Sequence, residues 1–130
     1  MIDPAPALDA LAFDRDGLVA AIAQQHDTGE VLMMAWMNRA AVEETLRTGA
    51  VCYYSRSRKG LWRKGESSGQ SQTLIEFLVD CDGDTVLLKV DQKGVACHTG
   101  HRNCFFRTLD QDGLEENAHV LVPPEKLYPR

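Results

Sequence analysis

Apolar residues in this chain fall mostly into short runs that favour strands. Residues 18–25 (LVAAIAQQ) and 31–37 (VLMMAWM) are separated by an Asp-Thr-Gly segment, a combination typical of a β-hairpin. Residues 73–81 (TLIEFLVDC) and 85–92 (TVLLKVDQ) flank an Asp-Gly turn and predict a second hairpin. Residues 50–55 (AVCYYS) are rich in β-branched and aromatic side chains and predict a further strand.

One amphipathic helix is predicted between these strands. Asn38 offers its side-chain oxygen to the free amides of a first helical turn, and Gly49 closes residues 39–48 at the other end. The inner face of this helix is predicted to consist of Ala41, Val42, Thr45 and Leu46.

The other segments show no clear period. We expect an irregular lead-in at residues 1–17, with one short helical turn near residues 8–13. Residues 55–71 are expected to form a long polar loop without regular structure. Residues 95–110 are interpreted as a loop with a short closing strand, and residues 111–130 as an irregular tail.

Length and composition are those of one globular domain. Of 130 residues, 44% are hydrophobic and 25% are charged. We therefore predict a single α+β domain over residues 1–130, rich in strands, in which antiparallel hairpins form a curved or barrel-like sheet with one main helix. No apolar run approaches the ~20 residues of a spanning helix, and the N-terminus does not resemble a signal peptide. These features favour the cytoplasm, where cysteines stay reduced.

Basic residues are concentrated in one part of an acidic chain. The net charge of −5 argues against general nucleic-acid binding. Five of the 14 lysines and arginines nevertheless lie within nine positions: Arg56, Arg58, Lys59, Arg63 and Lys64. Such a patch favours an anionic ligand, and a small phosphorylated substrate fits it without contradicting the overall charge.

Three of the four cysteines lie close together in the sequence. Cys81 is at a hairpin tip, and Cys97 and Cys104 are in a loop rich in glycine and histidine, which are poor positions for core residues. Because thiolates are preferred zinc ligands, these positions favour a zinc site, and the open fourth position favours a catalytic one. The alternatives are buried free cysteines, to which we assign Cys52, and ligands divided between two chains.

Three aspartates, Asp80, Asp82 and Asp84, alternate around Cys81. In a strand, side chains two residues apart share a face, so these carboxylates can converge. Converging carboxylates repel one another unless a cation lies between them, which favours magnesium. The alternative is a solvated hairpin end of the common Asp-Gly type.

Two histidines lie in the cysteine loop. His98 directly follows a candidate zinc ligand and is our candidate general base or proton shuttle, and His101 is the second candidate. The alternative for both is an ordinary surface histidine. Trp62, inside the polar loop, is a candidate for stacking on a ligand, with burial in the core as its alternative.

Four motifs resemble the phosphoribosyl-AMP cyclohydrolase family. They are DTGEVLMMAWMN, YSRSRKGLWRKGESSG, VDCDGD and ACHTGHRNCFF, which follow in order over about residues 29–106. The resemblance implies a cytosolic, homodimeric hydrolase that depends on zinc and magnesium. Its reaction would open the purine ring of 1-(5-phosphoribosyl)-AMP at the N1–C6 bond, the third step of histidine biosynthesis, by attack of zinc-activated water on C6.

The same resemblance implies roles for individual residues. It makes Cys81, Cys97 and Cys104 zinc ligands and Asp80, Asp82 and Asp84 magnesium ligands. The candidate contacts to substrate and phosphate are Arg56, Ser57, Arg58, Trp62, Lys64, Gly65, Glu66, Ser68 and Gly69. Asn103 stands where we expect serine in the family, a difference at a non-ligand position. Many relatives carry a fused pyrophosphohydrolase domain, and we expect this chain to be the monofunctional form.

Two other functions compete with this one. A zinc-stabilised binding module would hold a nucleotide or RNA without chemistry, and substrate turnover distinguishes it from an enzyme. A zinc deaminase also attacks a purine or pyrimidine ring, but its H-x-E and P-C-x-x-C signature is missing from the sequence.

Overall fold

The structure, a computed structural model, describes residues 5–128. The first four residues of the predicted lead-in and the last two of the predicted tail therefore lie outside the described residues. The elements are α1 (Ala5–Leu8), β1 (Val19–Gln25), β2 (Val31–Met37), α2 (Arg39–Thr48), β3 (Cys52–Ser55), β4 (Gly60–Arg63), β5 (Gln72–Val79), β6 (Thr85–Gln92), β7 (Arg107–Asp110), β8 (Gly113–Glu116) and α3 (Pro124–Leu127). Among these described elements, no helix is long and apolar enough to cross a membrane.

Within the described residues, six strands form one sheet in the order β4-β3-β2-β1-β6-β5. The sheet is curled into a half-barrel, which agrees with the predicted strand-rich α+β domain and its curved or barrel-like sheet. The two predicted hairpins, β1–β2 and β5–β6, are present and antiparallel. The prediction did not say how the hairpins pair with each other, and in the structure β1 and β6 run parallel, with Ile22 opposite Leu87. The two hairpins join side by side through these strands.

The curl of the sheet brings its edge strand β5 back to the chain that enters β3. Leu74 donates its amide to the Gly49 carbonyl at 2.7 Å, and the Val51 amide donates to the Gln72 carbonyl at 3.1 Å. Ala50 and Thr73 pair as an isolated bridge between these bonds. These contacts hold the half-barrel partly closed and bring the β3–β4 region next to the segments that flank β5.

The core lies between the inner face of the sheet and helix α2. Alternate residues of β6 are buried, namely Val86, Leu88 and Val90, as the period of two requires. The predicted caps of α2 are confirmed, because Asn38 Oδ1 accepts the Ala41 amide at 2.9 Å and Gly49 adopts a left-handed conformation. The inner face of α2 is narrower than predicted. Ala41, Val42 and Thr45 are buried, whereas Leu46 is 39% exposed.

A hydrogen-bonded link between α2 and β3 explains the position of the fourth cysteine. The Thr45 hydroxyl accepts the Cys52 amide at 2.9 Å and lies 3.3 Å from the Cys52 carbonyl. Cys52 is fully buried, as predicted. Burial raises the pKa of its thiol to about 12, which suits an inert core residue rather than a metal ligand.

The segment predicted as a polar loop without regular structure contains strand β4. Gly60–Arg63 pairs with Cys52–Ser55, and Trp62 lies opposite Tyr53. Their ring centroids are 5.0 Å apart, so aromatic packing between the paired residues stabilises this strand. The sequence did not predict the strand because basic residues flank it. The site region is therefore a hairpin followed by a shorter loop.

The chain ends agree with the expectations in part. The short closing strand predicted at the end of residues 95–110 is β7, but the tail predicted at residues 111–130 is not irregular throughout, because it contains β8, which pairs with β7 in a second, two-stranded sheet, and α3. The sequence signal for this hairpin was an Asp-Gly step at its turn. In the turn, the Asp112 amide donates to Asp110 Oδ1 at 2.8 Å. In the lead-in, the helical turn lies at Ala5–Leu8, earlier than expected, since burial of Leu8 and Leu11 fixes its position.

Candidate active site and metal sites

The β3–β4 hairpin separates two cavities that share Trp62. One, which we call the Arg56 cavity, has a volume of about 640 Å³ and includes Arg56 and Ser57 in its wall. The other, the Lys64 cavity, has a volume of about 270 Å³. Its wall includes Arg58, Lys64, Gly65, Glu66 and Ser68 of the predicted ligand contacts, with Arg63, Ser67 and Tyr128 in addition. Of the predicted contacts, Gly69 lines neither of these two cavities.

The basic residues of the hairpin have different partners. Arg56 lies with its guanidinium 4.8 Å from the centroid of the Trp36 ring, a cation–π contact. Arg63 instead makes two hydrogen bonds to the Glu44 carboxylate, at 2.8 and 2.7 Å, and ties β4 to helix α2. This pairing lowers the pKa of Glu44. The charge cluster predicted from the sequence is thus divided between exposed residues such as Arg56 and Arg58 and a structural ion pair.

Lys64 links the Lys64 cavity to the cysteine loop. Its Nζ donates to the Ala96 carbonyl at 2.6 Å and lies 5.9 Å from the centroid of the Trp62 ring. Burial lowers the pKa of this lysine, and the nearby thiols of Cys104 and Cys97 act in the opposite direction. Lys64 is therefore a partly buried charge beside two potential thiolates rather than an exposed residue of a flexible loop.

Cys97 and Cys104 lie side by side in this structure. Cys97 is 6% exposed, and its sulfur accepts a hydrogen bond from the Thr99 hydroxyl at 3.0 Å. Cys104 is exposed at the surface, but its thiol is partly desolvated, and this desolvation, followed by the effect of the neighbouring Cys97, raises its pKa to about 12. A cation that binds between the two sulfur atoms would stabilise both as thiolates.

Cys81 is exposed in the turn between β5 and β6, away from this pair. Within residues 5–128, one group of three potential ligands has its ligand atoms within 4.8 Å of one another, and that group is Asp80, Asp82 and Asp84. The three predicted zinc ligands therefore do not converge in one chain. Two of them do, and the third lies elsewhere on the surface.

Glu30 and a buried glutamine hold the cysteine loop in place. Glu30 accepts hydrogen bonds from Arg102 at 3.2 Å and from Asn103 at 2.8 Å. Asn103 also accepts the Phe105 amide at 2.8 Å, so this residue, at a position where serine was expected, orients the backbone next to Cys104. On the other side, Gln92 Nε2 donates to the Val95 carbonyl at 3.2 Å. Polar contacts that sequence patterns did not reveal therefore position both thiols.

The three aspartates converge, although for a different reason from the one predicted. They lie in the turn between β5 and β6, because β5 ends at Val79 and β6 begins at Thr85. Asp80 Oδ1 accepts the amides of Asp84 and Thr85 at 3.2 and 3.3 Å, which wraps the turn around this carboxylate. The result is an exposed cluster of oxygen ligands, the type that magnesium prefers.

The charges within this aspartate cluster oppose one another. Contact with the Asp84 carboxyl, and then the negative charges of Asp80 and Asp84, raise the pKa of Asp82. Desolvation alone would raise the pKa of Asp80. Hydrogen bonds from the amide of Thr85 and from neighbouring groups outweigh this effect, so the pKa of Asp80 is lowered. Asp82 therefore carries the repulsion that a bound cation would relieve.

Replacing Asp82 by asparagine is expected to stabilise the metal-free protein at neutral pH. The raised pKa means that the folded state disfavours charged Asp82, a penalty present at high pH and lost as the pH falls through the carboxyl range near about 4. Magnesium should raise the melting temperature of the wild type but have little effect on Asp82→Asn. Thermal denaturation with and without magnesium measures both effects, and Asp112→Asn in the β7–β8 turn is the control. Equal magnesium responses in all three proteins would exclude a site at Asp82.

The two candidate histidines occupy different environments. His98 is exposed next to Cys97, where its ring can contact a ligand. His101 is 3% exposed and stacks on Phe106, with ring centroids 3.6 Å apart. Its Nδ1 lies 2.7 Å from the Thr99 hydroxyl. Thr99 was not among the predicted site residues, although its position between Cys97 and His101 was the available signal.

Comparison with known proteins places these features in a family. Residues 33–106 match the model of the family described as "Phosphoribosyl-AMP cyclohydrolase". The protein of that name from Paramagnetospirillum magneticum is 67% identical over 127 residues, covering 98% of this chain and 96% of its own length. The protein of the same name from Alkalilimnicola ehrlichii is 68% identical over 123 residues, covering 95% and 87%. The chain belongs to the phosphoribosyl-AMP cyclohydrolase family.

The resemblance inferred from the four motifs is thereby confirmed. The region that matches the phosphoribosyl-AMP cyclohydrolase family model begins within β2 and ends two residues after Cys104. The matched region therefore contains both strands of the β3–β4 hairpin, the aspartate turn and the cysteine loop. The β7–β8 hairpin lies beyond it, although relatives such as the Granulibacter bethesdensis protein, 65% identical over 92% of this chain, align over most of the length.

Proposed function

We propose that this chain is a hydrolase that opens the purine ring of 1-(5-phosphoribosyl)-AMP at the N1–C6 bond, the third step of histidine biosynthesis. The observation that carries the proposal is a paired-thiol site, Cys97 and Cys104, joined by Lys64 to a basic cavity in a chain of the phosphoribosyl-AMP cyclohydrolase family. In the same proposal the chain acts as a single domain in the cytoplasm.

Zinc fits the thiol pair, and Cys81 of a second chain supplies the third ligand in this proposal. Cys97 and Cys104 already lie together, and the Thr99 hydroxyl points at the Cys97 sulfur, as an outer hydrogen-bond donor to a thiolate ligand does. Cys81 is exposed and separate from them, so it is able to reach the pair of a neighbouring molecule. When bound, zinc supplies the Lewis acidity that makes water nucleophilic near neutral pH.

A homodimer follows from the same arrangement, and exposed apolar residues support it. Ile75, Leu78 and Val79 are exposed on β5, next to the turn that carries Cys81. A second exposed apolar group lies beside the cysteine loop, where the Leu121 amide bonds to the Gly100 carbonyl at 2.8 Å. Val120 and Leu121 are the exposed apolar residues there, and Leu109 and Leu114 are exposed opposite each other on the β7–β8 hairpin. Packing of the first surface on the second, twice around a two-fold axis, would bring Cys81 of each chain to the thiol pair of the other.

The residues around the thiol pair have distinct tasks in the proposed reaction. His98, exposed beside Cys97, takes the proton from the attacking water and returns it to the ring nitrogen that leaves. Trp62 stands between the two cavities and offers a ring face to the purine. Lys64, Arg56 and Arg58 balance the charge of the phosphates. The aspartate turn binds magnesium, which screens the same phosphates.

Replacing Arg56 or Arg58 by alanine is expected to raise KM by about 10–100-fold while leaving the melting temperature unchanged. Each substitution removes a charge-assisted phosphate contact, worth roughly 1.5–3 kcal/mol, from an exposed turn. Arg47→Ala on helix α2 is the matched control for the loss of one positive charge. Steady-state kinetics at two salt concentrations measure the effect. Unchanged KM values in both variants would show that these arginines are solvated charges that do not bind the phosphates.

The proposed activity is tested by incubating the purified, zinc-loaded protein with 1-(5-phosphoribosyl)-AMP. Opening of the ring changes the purine absorbance, so turnover is followed directly. A zinc-stabilised binding module would bind the nucleotide in a calorimeter and leave the absorbance unchanged, which would contradict the proposal.

A further inference from the structure

His101 is a buried side chain to which the proposed reaction gives no direct contact with substrate. Its ring is stacked on Phe106 with an interplanar angle of 4°. Among the described residues, its Nε2 atom is buried without a hydrogen-bond partner, and the nearest carboxylate oxygen, of Glu116, is 3.9 Å away. The other ring nitrogen, Nδ1, lies 2.7 Å from the Thr99 hydroxyl. The ring therefore acts on its surroundings through Nδ1.

A hydrogen-bond chain runs from this histidine to a proposed zinc ligand. The Thr99 oxygen is 2.7 Å from His101 Nδ1 and 3.0 Å from the Cys97 sulfur. Backbone contacts of Gly100 support this arrangement. Its amide donates to the Cys97 carbonyl at 3.0 Å, and a Cβ at this position, with φ of +89°, would overlap the Val122 carbonyl oxygen. The turn thus places the side chains on either side of Gly100 in contact.

Counting protons shows which group donates and which accepts in each of these two hydrogen bonds. Thr99 has two contacts but only one hydroxyl proton. A cysteine that binds zinc does so as a thiolate, which has no proton to donate. The Thr99 proton must then lie on the side of the Cys97 sulfur, and the second contact needs a proton from His101 Nδ1.

The same tautomer explains the unpartnered nitrogen. A neutral imidazole with its proton on Nδ1 has a bare lone pair on Nε2. The opposite tautomer would bury an N–H donor with no acceptor within hydrogen-bonding distance among the described residues, and an unsatisfied donor is costly to bury. Two independent features, the proton count at Thr99 and the burial of Nε2, therefore favour the same state of the ring.

We propose that His101 is a positioning residue. It donates its Nδ1 proton to Thr99, so that the Thr99 hydroxyl is held as a donor to the Cys97 thiolate and stabilises this ligand of the metal. The proposal rests on the zinc site of the proposed function. It also separates the two histidines of the cysteine loop, since His98 is the exposed group that moves a proton and His101 keeps one in place.

A double-mutant cycle on the zinc-loaded dimer tests whether His101 acts through Thr99. Loss of zinc to a chromogenic chelator is expected to be about 10–100-fold easier in Thr99→Val, the usual cost of removing an outer hydrogen bond to a ligand. Thr99→Ser, which keeps the hydroxyl, should behave like the wild type. His101→Leu should also weaken zinc binding, but adding it to Thr99→Val should cause little further loss. Independent, additive losses would overturn the proposal.

The tautomer is measured on the unaltered protein, so the test does not depend on a variant that folds. In zinc-loaded protein labelled with ¹⁵N-histidine, the spectrum of His101 should show a proton on Nδ1, and the signal is assigned by its absence in His101→Asn. A ring whose Nδ1 carries no proton would overturn the proposal while leaving the zinc site standing. A wild-type protein that holds no zinc would overturn the proposed site and this inference with it.

Discussion

Serine in place of Cys81 or Cys97 is expected to remove zinc and lower turnover by about a thousandfold or more. Metal Lewis acidity supplies several kcal/mol of transition-state stabilisation, and each 1.36 kcal/mol corresponds to a factor of ten in rate. Cys52→Ala is the matched control, because Cys52 is a fully buried thiol held beside Thr45. Elemental analysis and turnover measure the two effects. A Cys81→Ser protein with full zinc would show that the ligand is misassigned.

Mixing the two inactive variants distinguishes a shared site from one within a single chain. If Cys81 completes the site of its partner, a hybrid of Cys81→Ser and Cys97→Ser chains has one intact site and one that lacks both ligands. Random exchange of equal amounts makes about half of the dimers hybrid, so about a quarter of wild-type activity should return. No recovery after subunits have demonstrably exchanged would contradict the shared site.

Replacing His98 by alanine is expected to lower turnover by about 10²–10⁴-fold while zinc and the dimer are retained. This is the usual contribution of a positioned general acid or base, and the exposure of His98 beside Cys97 gives its ring access to the reacting water. His119→Ala is the control, since His119 is another exposed histidine that lies outside the cysteine loop.

Zinc content decides between two roles for His98. Loss of zinc together with activity would identify it as the fourth ligand rather than the base. A His98→Ala protein with both zinc and near-normal turnover would contradict either role, and the aspartate turn would become the next candidate. The pH profile of turnover in the same variants separates a lost base from a displaced ligand.

Local patterns predicted the elements whose stability is itself local. The caps and periodicity of helix α2 and the turns of the β1–β2 and β5–β6 hairpins are encoded within a few residues of each element. The parallel pairing of β1 with β6 joins strands about 65 residues apart and leaves no signature at either strand. Strand β4 was missed because its four residues are flanked by basic side chains, and only its partner β3 makes the pairing visible.

For the site, the sequence predicted which residues are candidate ligands but not how they are arranged in space. The metal-ligand candidates follow from residue type, since thiolates are preferred zinc ligands and carboxylates are preferred magnesium ligands. Their arrangement did not follow. The aspartates converge through the turn around Asp80 rather than along a strand, and Cys81 lies apart from the other thiols. The burial of His101 depends on Phe106 and on the fold of the cysteine loop, so sequence alone did not separate its role from that of His98.

The claim on which the proposed mechanism depends is that each zinc ion is bound by cysteines of two chains, so that a dimer holds two such ions. Diffraction data collected on either side of the zinc absorption edge, from crystals of the loaded protein, locate the metal directly. We expect one anomalous peak per chain, at about 2.3 Å from the sulfurs of Cys97 and Cys104 and from the sulfur of Cys81 in the neighbouring molecule. A zinc peak bonded to Cys97 and Cys104 with no Cys81 sulfur of any chain in its coordination sphere would contradict the shared site.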